Sequence, residues 1–171
     1  MEASRQDVIH AHVITVSDGA YHGTREDKSG AALVELLRAR DFEVGGPEVV
    51  PDERDIITSA IIDAADGGAR LVLTTGGTGL GPRDVTPQAT RDAIDYDVPG
   101  IAETMRRVGA SSTPMAAISR GIAGVRRRTL VINLPGSPKG AVESLESVMP
   151  VLDHALALLA GNTEHRSSPP A

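Results

Sequence analysis

Cysteine is absent from this 171-residue chain. Its absence excludes a disulfide framework, a thiolate metal site and a cysteine nucleophile, and fits a reducing compartment. Tryptophan is absent too, and Phe42, Tyr21 and Tyr96 make up the whole aromatic set. Platforms that stack the bases of single-stranded nucleic acid need successive aromatics, so that class has no support. The core must instead be aliphatic and rich in alanine. No run approaches the roughly 20 apolar residues that span a bilayer. Met1 to Asp7 is polar and charged, without the apolar stretch of a secretory leader, so the expected setting is cytoplasmic with no membrane partner. Positive charge is in deficit, with 17 Lys and Arg against 23 Asp and Glu and a net charge of −6. That balance argues against a nucleic-acid surface. It leaves room for a nucleotide, because a local site can be positive within an acidic chain.

What the chain does contain is alternation. The β-branched run from Val8 to Val16 reads as a strand. Ala32, Leu33, Leu36 and Leu37 share one face of a helix over Ser29 to Arg40. A weaker strand follows at Val44 to Val50, then a helix at Glu53 to Asp66 stopped by Gly67 and Gly68. Leu71 to Thr75 is a short apolar strand. Thr86 to Ile94 reads as a helix with Thr86 as N-cap and Pro87 at its first position. Pro99 to Val108 is another helix, Thr129 to Leu134 a buried strand, and Ser137 to Ala160 a long helix that Pro150 should kink or interrupt. This order predicts an α/β fold: a single three-layer domain over 8–160, with a mainly parallel sheet and helices on both faces. Residues 1–7 and 161–171 are polar or proline-bearing and are expected to be flexible tails.

Sheets of this kind bind ligands beyond the carboxyl ends of their strands. Four loops qualify: Ser17-Asp18-Gly19, Pro51-Asp52-Glu53, Gly76 to Asp84, and Pro135 to Lys139. In the third, "GGTGLGPRD", Gly76, Gly77, Gly79 and Gly81 leave the backbone bare before an Arg-Asp pair. The dinucleotide fingerprint G-x-G-x-x-G/A fails at Pro82. The P-loop fails where Pro82 and Arg83 stand in place of Lys and a hydroxyl. Bare N–H groups can still hold phosphate oxygens. The plainer reading is a turn that only needs positive φ.

Asp84 either stabilises the turn before Thr86 or holds Mg²⁺ against phosphates. Asp52 is either the cap of the following helix or a metal ligand. In "LPGSPKG", Ser137-Pro138 opens a helix whose N-terminus attracts anions, with Lys139 adding charge; simple capping with a solvated lysine is the alternative. His10 and His12 share a strand face without metal-ligand spacing, and Arg126 to Arg128 reads as a solvated loop. No serine lies in G-x-S-x-G, so a hydrolase triad has no support.

Together, "TTGGTGLGPRDVTPQAT" (Thr74 to Thr90), "VPDE" (Val50 to Glu53), "SRGIAGVR" (Ser119 to Arg126) and "LPGSPKGA" (Leu134 to Ala141) resemble the molybdopterin adenylyltransferases. These are the Mog proteins and their MoaB relatives, related to the G-domain of plant and animal molybdenum-cofactor enzymes. "VSDGA" (Val16 to Ala20) and "DKSG" (Asp27 to Gly30) match as well, and the resemblance runs from about Ala11 to Leu159. It implies a homotrimer that transfers AMP from ATP to the terminal phosphate of molybdopterin with Mg²⁺. The implied catalytic and metal-holding carboxylates are Asp52 and Asp84. Gly76, Gly77, Thr78 and Gly79, with Ser17 and Asp18, are expected against the nucleotide. Ser119, Arg120, Pro135, Gly136, Ser137 and Lys139 are expected on the pterin side. A molybdate-insertion enzyme is a candidate partner. The alternative is a MoaB-type paralogue that binds molybdopterin as a scaffold without catalysis.

Overall fold

The structure is a computed structural model that describes residues 8–161. The expected tails, 1–7 and 161–171, lie outside the described residues except for Gly161. The sheet has six strands in the order β2-β1-β3-β6-β5-β4. These are β1 (His10–Val16), β2 (Glu43–Val50), β3 (Leu71–Thr75), β4 (Tyr96–Asp97), β5 (Ala123–Arg126) and β6 (Thr129–Leu134). The first four positions in that order pair in parallel, and β5 and β4 complete the edge in antiparallel fashion. The sheet is therefore mainly parallel, as expected.

Side chains of a strand alternate between its faces, and that alternation splits the core in two. Ala11, Val13, Leu71, Leu73, Leu130 and Ile132 pack on one side against α2 (Lys28–Arg38), α5 (Pro99–Ser112) and α6 (Pro138–Leu159). Ile14, Val16, Val72 and Val131 pack on the other against α3 (Arg54–Asp66) and α4 (Thr86–Ala93). These are the three layers. β3 and β6 are buried along their whole length, which is why they read as continuous apolar runs. A short helix, α1 (Asp18–Tyr21), follows β1 directly. Among the described residues no helix is long and apolar enough to cross a membrane.

Two strands went unread in the sequence, and three expectations need correction. Strands β4 and β5 carry no signal of their own: they are two and four residues long, and β5 owes its conformation to pairing with β6. Thr86 is not the cap of α4 but its first residue, fully buried, with Val85 in the cap position. Arg126 is not in a solvated loop; it ends β5, and its guanidinium grips both oxygens of Asp66 at 3.1 and 3.0 Å. Pro150 does not interrupt α6, which runs through it. An interior proline costs about 3 kcal/mol. Burying Leu145, Val148, Leu152 and Leu156 of the same helix contributes about 6–12 kcal/mol at about 1.5–3 each. Pro150 itself is exposed, so water can reach the carbonyl it leaves unpaired.

Candidate active site

Because β2, β1, β3 and β6 run parallel side by side, their carboxyl ends deliver four loops to one edge of the sheet. A cleft of about 770 Å³ opens there. Ser17, Asp52, Gly76, Gly77, Asp84, Gly136 and Ser137 all line it, so all four expected loops meet in one place. A second cavity of about 230 Å³ lies beside it, under α5 and a 3₁₀ turn at Pro114–Ile118. Its walls include Ala102, Met105, Met115 and Ile118, and also Ser119 and Pro135. The glycine loop runs between the two: Gly76 and Gly77 face the large cleft, Thr78 and Gly79 the small one, and Ser137 lines both.

The loop's shape follows from its sequence. Gly76 and Gly77 sit at φ of 100° and 67°, where glycine alone is unstrained. A Cβ on Gly76 would strike the Val16 carbonyl, and one on Gly77 would strike the Thr86 hydroxyl. The loop is pinned by backbone and buried hydroxyls: Gly76 N–H donates to the Leu134 carbonyl at 3.1 Å, and Thr86 donates its hydroxyl to the Gly76 carbonyl at 2.9 Å. At its far end Asp84 Oδ2 accepts the Gly81 N–H at 2.8 Å, which closes the turn while the residue still lines the cleft.

Asp52 precedes α3, but Glu53 occupies the cap position and gives no side-chain cap. Asp52 reaches across to α1 instead. Its Oδ2 accepts the Asp18 N–H at 2.8 Å, and its own N–H donates to Asp18 Oδ1 at 3.0 Å. Partial burial pushes the Asp52 carboxyl above the usual carboxylate range, with the Asp18 N–H pulling the other way and the charge of nearby Asp84 adding to the rise. Asp18 behaves oppositely: Arg83 grips both its oxygens at 3.0 Å and holds it below that range. Arg83 also donates to Glu53 at 3.2 Å.

Three expected residues line neither cavity: Asp18, whose carboxylate is taken up by Arg83 and the Asp52 N–H, and Arg120 and Lys139. The Arg120 guanidinium donates to the backbone carbonyls of Gly79 at 2.7 Å and Asp84 at 2.5 Å, bracing the glycine loop from behind. Lys139 is largely exposed and pairs with Glu143 at 3.7 Å, one helical turn on. Ser137 caps α6 by accepting the Gly140 N–H at 3.1 Å. Sequence reasoning missed the far wall of the large cleft, formed by Thr15, Arg25, Asp27, Lys28 and Ser29. Asp27 caps α2 through Gly30 N–H at 2.8 Å and accepts the Thr15 hydroxyl at 2.7 Å. The available signal was "DKSG" after the first strand, a cap followed by a helix.

The family model described as a probable molybdopterin binding domain matches residues 12–154. The chain belongs to this family of molybdenum-cofactor biosynthesis domains. The molybdopterin adenylyltransferase of Helicobacter pylori (strain J99) is 42% identical over 160 residues, covering 90% of this chain and 89% of that protein. The molybdopterin adenylyltransferase of Escherichia coli (strain K12) is 40% identical over 140 residues, covering 80% and 71%. Among solved structures, the molybdopterin biosynthesis enzyme MoaB of Thermus thermophilus superposes with a TM-score of 0.85 at 55% identity, covering 90% of this chain and 98% of that one. The matched segment of the molybdopterin-binding domain takes in all four loops and both cavities' shared wall.

Proposed function

We propose that this protein is a nucleotidyltransferase of molybdenum-cofactor biosynthesis that moves AMP from ATP to the terminal phosphate of molybdopterin. The observation that carries the reading is the pair of adjoining cavities that share Ser137 and are divided by the glycine loop. A reaction of two phosphorylated substrates needs two pockets whose phosphate ends meet. The adenylyltransferase names of relatives at 40–42% identity support the same reading.

In the proposed reaction an oxygen of molybdopterin's terminal phosphate forms a bond to the α-phosphorus of ATP. The bond from that phosphorus to the bridging oxygen breaks, and pyrophosphate leaves with the electron pair. Such transfers need little covalent help; positioning and charge stabilisation do most of the work. ATP would occupy the large cleft, its phosphates against the N–H groups of Gly76 and Gly77. Molybdopterin would occupy the smaller cavity, between Ser119, Pro135 and Ser137. Arg120 would act by fixing the loop rather than by touching substrate.

Asp52 and Asp84 fit a Mg²⁺ requirement. Among the described residues no three carboxylate or imidazole groups gather into a complete cage. Mg²⁺ characteristically takes one or two carboxylates and completes its shell with substrate phosphates and water. When bound, it would neutralise charge on the phosphates. The same reading carries a cytoplasmic homotrimer, with a molybdate-insertion enzyme as the candidate consumer of the product; sedimentation velocity checks the oligomer.

The deciding experiment supplies purified protein with Mg-ATP and molybdopterin and measures adenylylated molybdopterin and pyrophosphate. Both should appear. Asp52→Asn and Asp84→Asn keep an acceptor oxygen for their N–H partners, should fold, and should lose at least about tenfold in rate, or 1.4 kcal/mol of barrier. Molybdopterin binding without pyrophosphate release would overturn the transferase and favour a scaffold. Normal turnover by both variants would remove the carboxylates from the mechanism.

A further inference from the structure

Arg83 does not line the large cleft, although the next residue, Asp84, does. The Arg83 guanidinium is committed to Asp18 by two hydrogen bonds at 3.0 Å and to Glu53 at 3.2 Å. It therefore joins three chain segments: the loop after β3, the start of α1 and the start of α3. Asp18 in turn is locked to Asp52 by a reciprocal clasp in which each residue's N–H donates to the other's carboxylate, at 2.8 and 3.0 Å. The clasp uses only Oδ2 of Asp52. Its Oδ1 lies 3.3 Å from where a Cβ on Gly77 would stand, over the bare part of the glycine loop.

We propose that Arg83 and Asp18 are positioning residues that orient the Asp52 carboxylate, so that Oδ1 faces the phosphate end of the large cleft. Without them Asp52 would be a half-buried carboxylate next to Asp84, free to turn and release its clasp. Bidentate Arg–carboxylate pairs fix geometry as well as charge, which suits this task. The neighbouring glycines explain why the orientation needs an outside brace: the loop beneath Oδ1 offers no side chain to hold it. Asp18 thus acts through Asp52 rather than by touching the nucleotide.

This inference rests on the proposed function for its ligand, and its test separates the two. Mn²⁺ serves as the probe, its binding to the ATP-loaded protein read by electron paramagnetic resonance without molybdopterin and therefore without turnover. Arg83→Met should weaken Mn²⁺ binding about tenfold in the native background and change it by less than about twofold in an Asp52→Asn background, because the first residue works through the second. Asp18→Asn should show the same pattern. Arg83→Lys should recover part of the loss, since lysine keeps the charge but not the fork. ATP affinity measured without metal should be unmoved by all of these. Circular dichroism confirms that each variant is folded. Equal weakening in both backgrounds, or an equal loss of metal-free ATP affinity, would overturn the proposal and place Arg83 on the nucleotide. If this pattern holds while the native protein makes no adenylylated product, the transferase reading fails and the positioning role stands.

Discussion

Thr86 donates its hydroxyl to the carbonyl oxygen of Gly76 at 2.9 Å, inside the protein, across ten residues of loop. The Thr86 N–H donates to the Gly77 carbonyl at 3.1 Å. One residue at the start of α4 thus fixes the shape of the bare loop at the end of β3.

Thr86→Val, which keeps the shape and removes the hydroxyl, should lower stability by about 1–3 kcal/mol, the cost of leaving a buried carbonyl unpaired. It should also slow adenylyl transfer, whereas Thr86→Ser should preserve both. Urea denaturation midpoints and the product assay check this pair.

Gly77→Ala places a methyl on the Thr86 hydroxyl at a φ of 67°. It should cost more than about 1 kcal/mol from backbone strain alone and abolish most activity. Gly100→Ala is the control: nothing lies within 4 Å of that Cβ, and the site is in α5. It should be neutral or stabilising by up to about 1 kcal/mol. Thermal unfolding of the two variants distinguishes a shaped loop from a merely flexible one.

Asp66 is held below the usual carboxylate range by its hydrogen bonds to Arg126, with Arg127 adding its charge at 3.3 Å. A carboxyl whose value is depressed on folding stabilises the fold when ionised. That contribution is complete above the unfolded value of about 3.9 and is lost as pH falls through the lower folded value. Asp66→Asn should therefore be less stable than the native protein at neutral pH, and the difference should shrink progressively below about pH 4. Denaturation curves at several pH values check the direction.

Arg25 and Lys28 are the cationic side chains among the residues that line the large cleft, together with Asp52 and Asp84. Arg25→Ala and Lys28→Ala should each weaken ATP binding by severalfold, on the order of 1 kcal/mol. The loss should be larger at low ionic strength, where screening is weak. Isothermal titration with ATP at two salt concentrations checks both the direction and the salt dependence.

The four parallel strands were legible in the sequence, most plainly the two that are buried on both faces and so read as apolar runs: Leu71–Thr75 and Thr129–Leu134. The loops at their carboxyl ends followed from the rule for parallel sheets, and they do converge. What was not legible depends on contacts distant in sequence. Nothing local marks Asp52 as the partner of Asp18, 34 residues away, or Arg126 as the partner of Asp66, 60 residues away. Capping preferences pointed to Thr86 as a cap because threonine prefers that position; burial of its hydroxyl against Gly76 overrode the preference. The cleft wall at Thr15 and at Arg25 to Ser29 was hidden for the same reason: Asp27 looks like an ordinary cap until Thr15 is found beside it.

The large cleft takes its lining from separate segments between Thr15 and Pro138, drawn from the ends of all four parallel strands. No fragment of the sheet carries a working part of it. A ligand held there binds the native state and nothing less, so its binding energy is linked to global unfolding rather than to local fraying. At a hundred times its dissociation constant such a ligand would raise unfolding stability by about 2.7 kcal/mol. Amide protons in β1, β3 and β6 would report this together, even though these strands lie largely beneath the cleft floor.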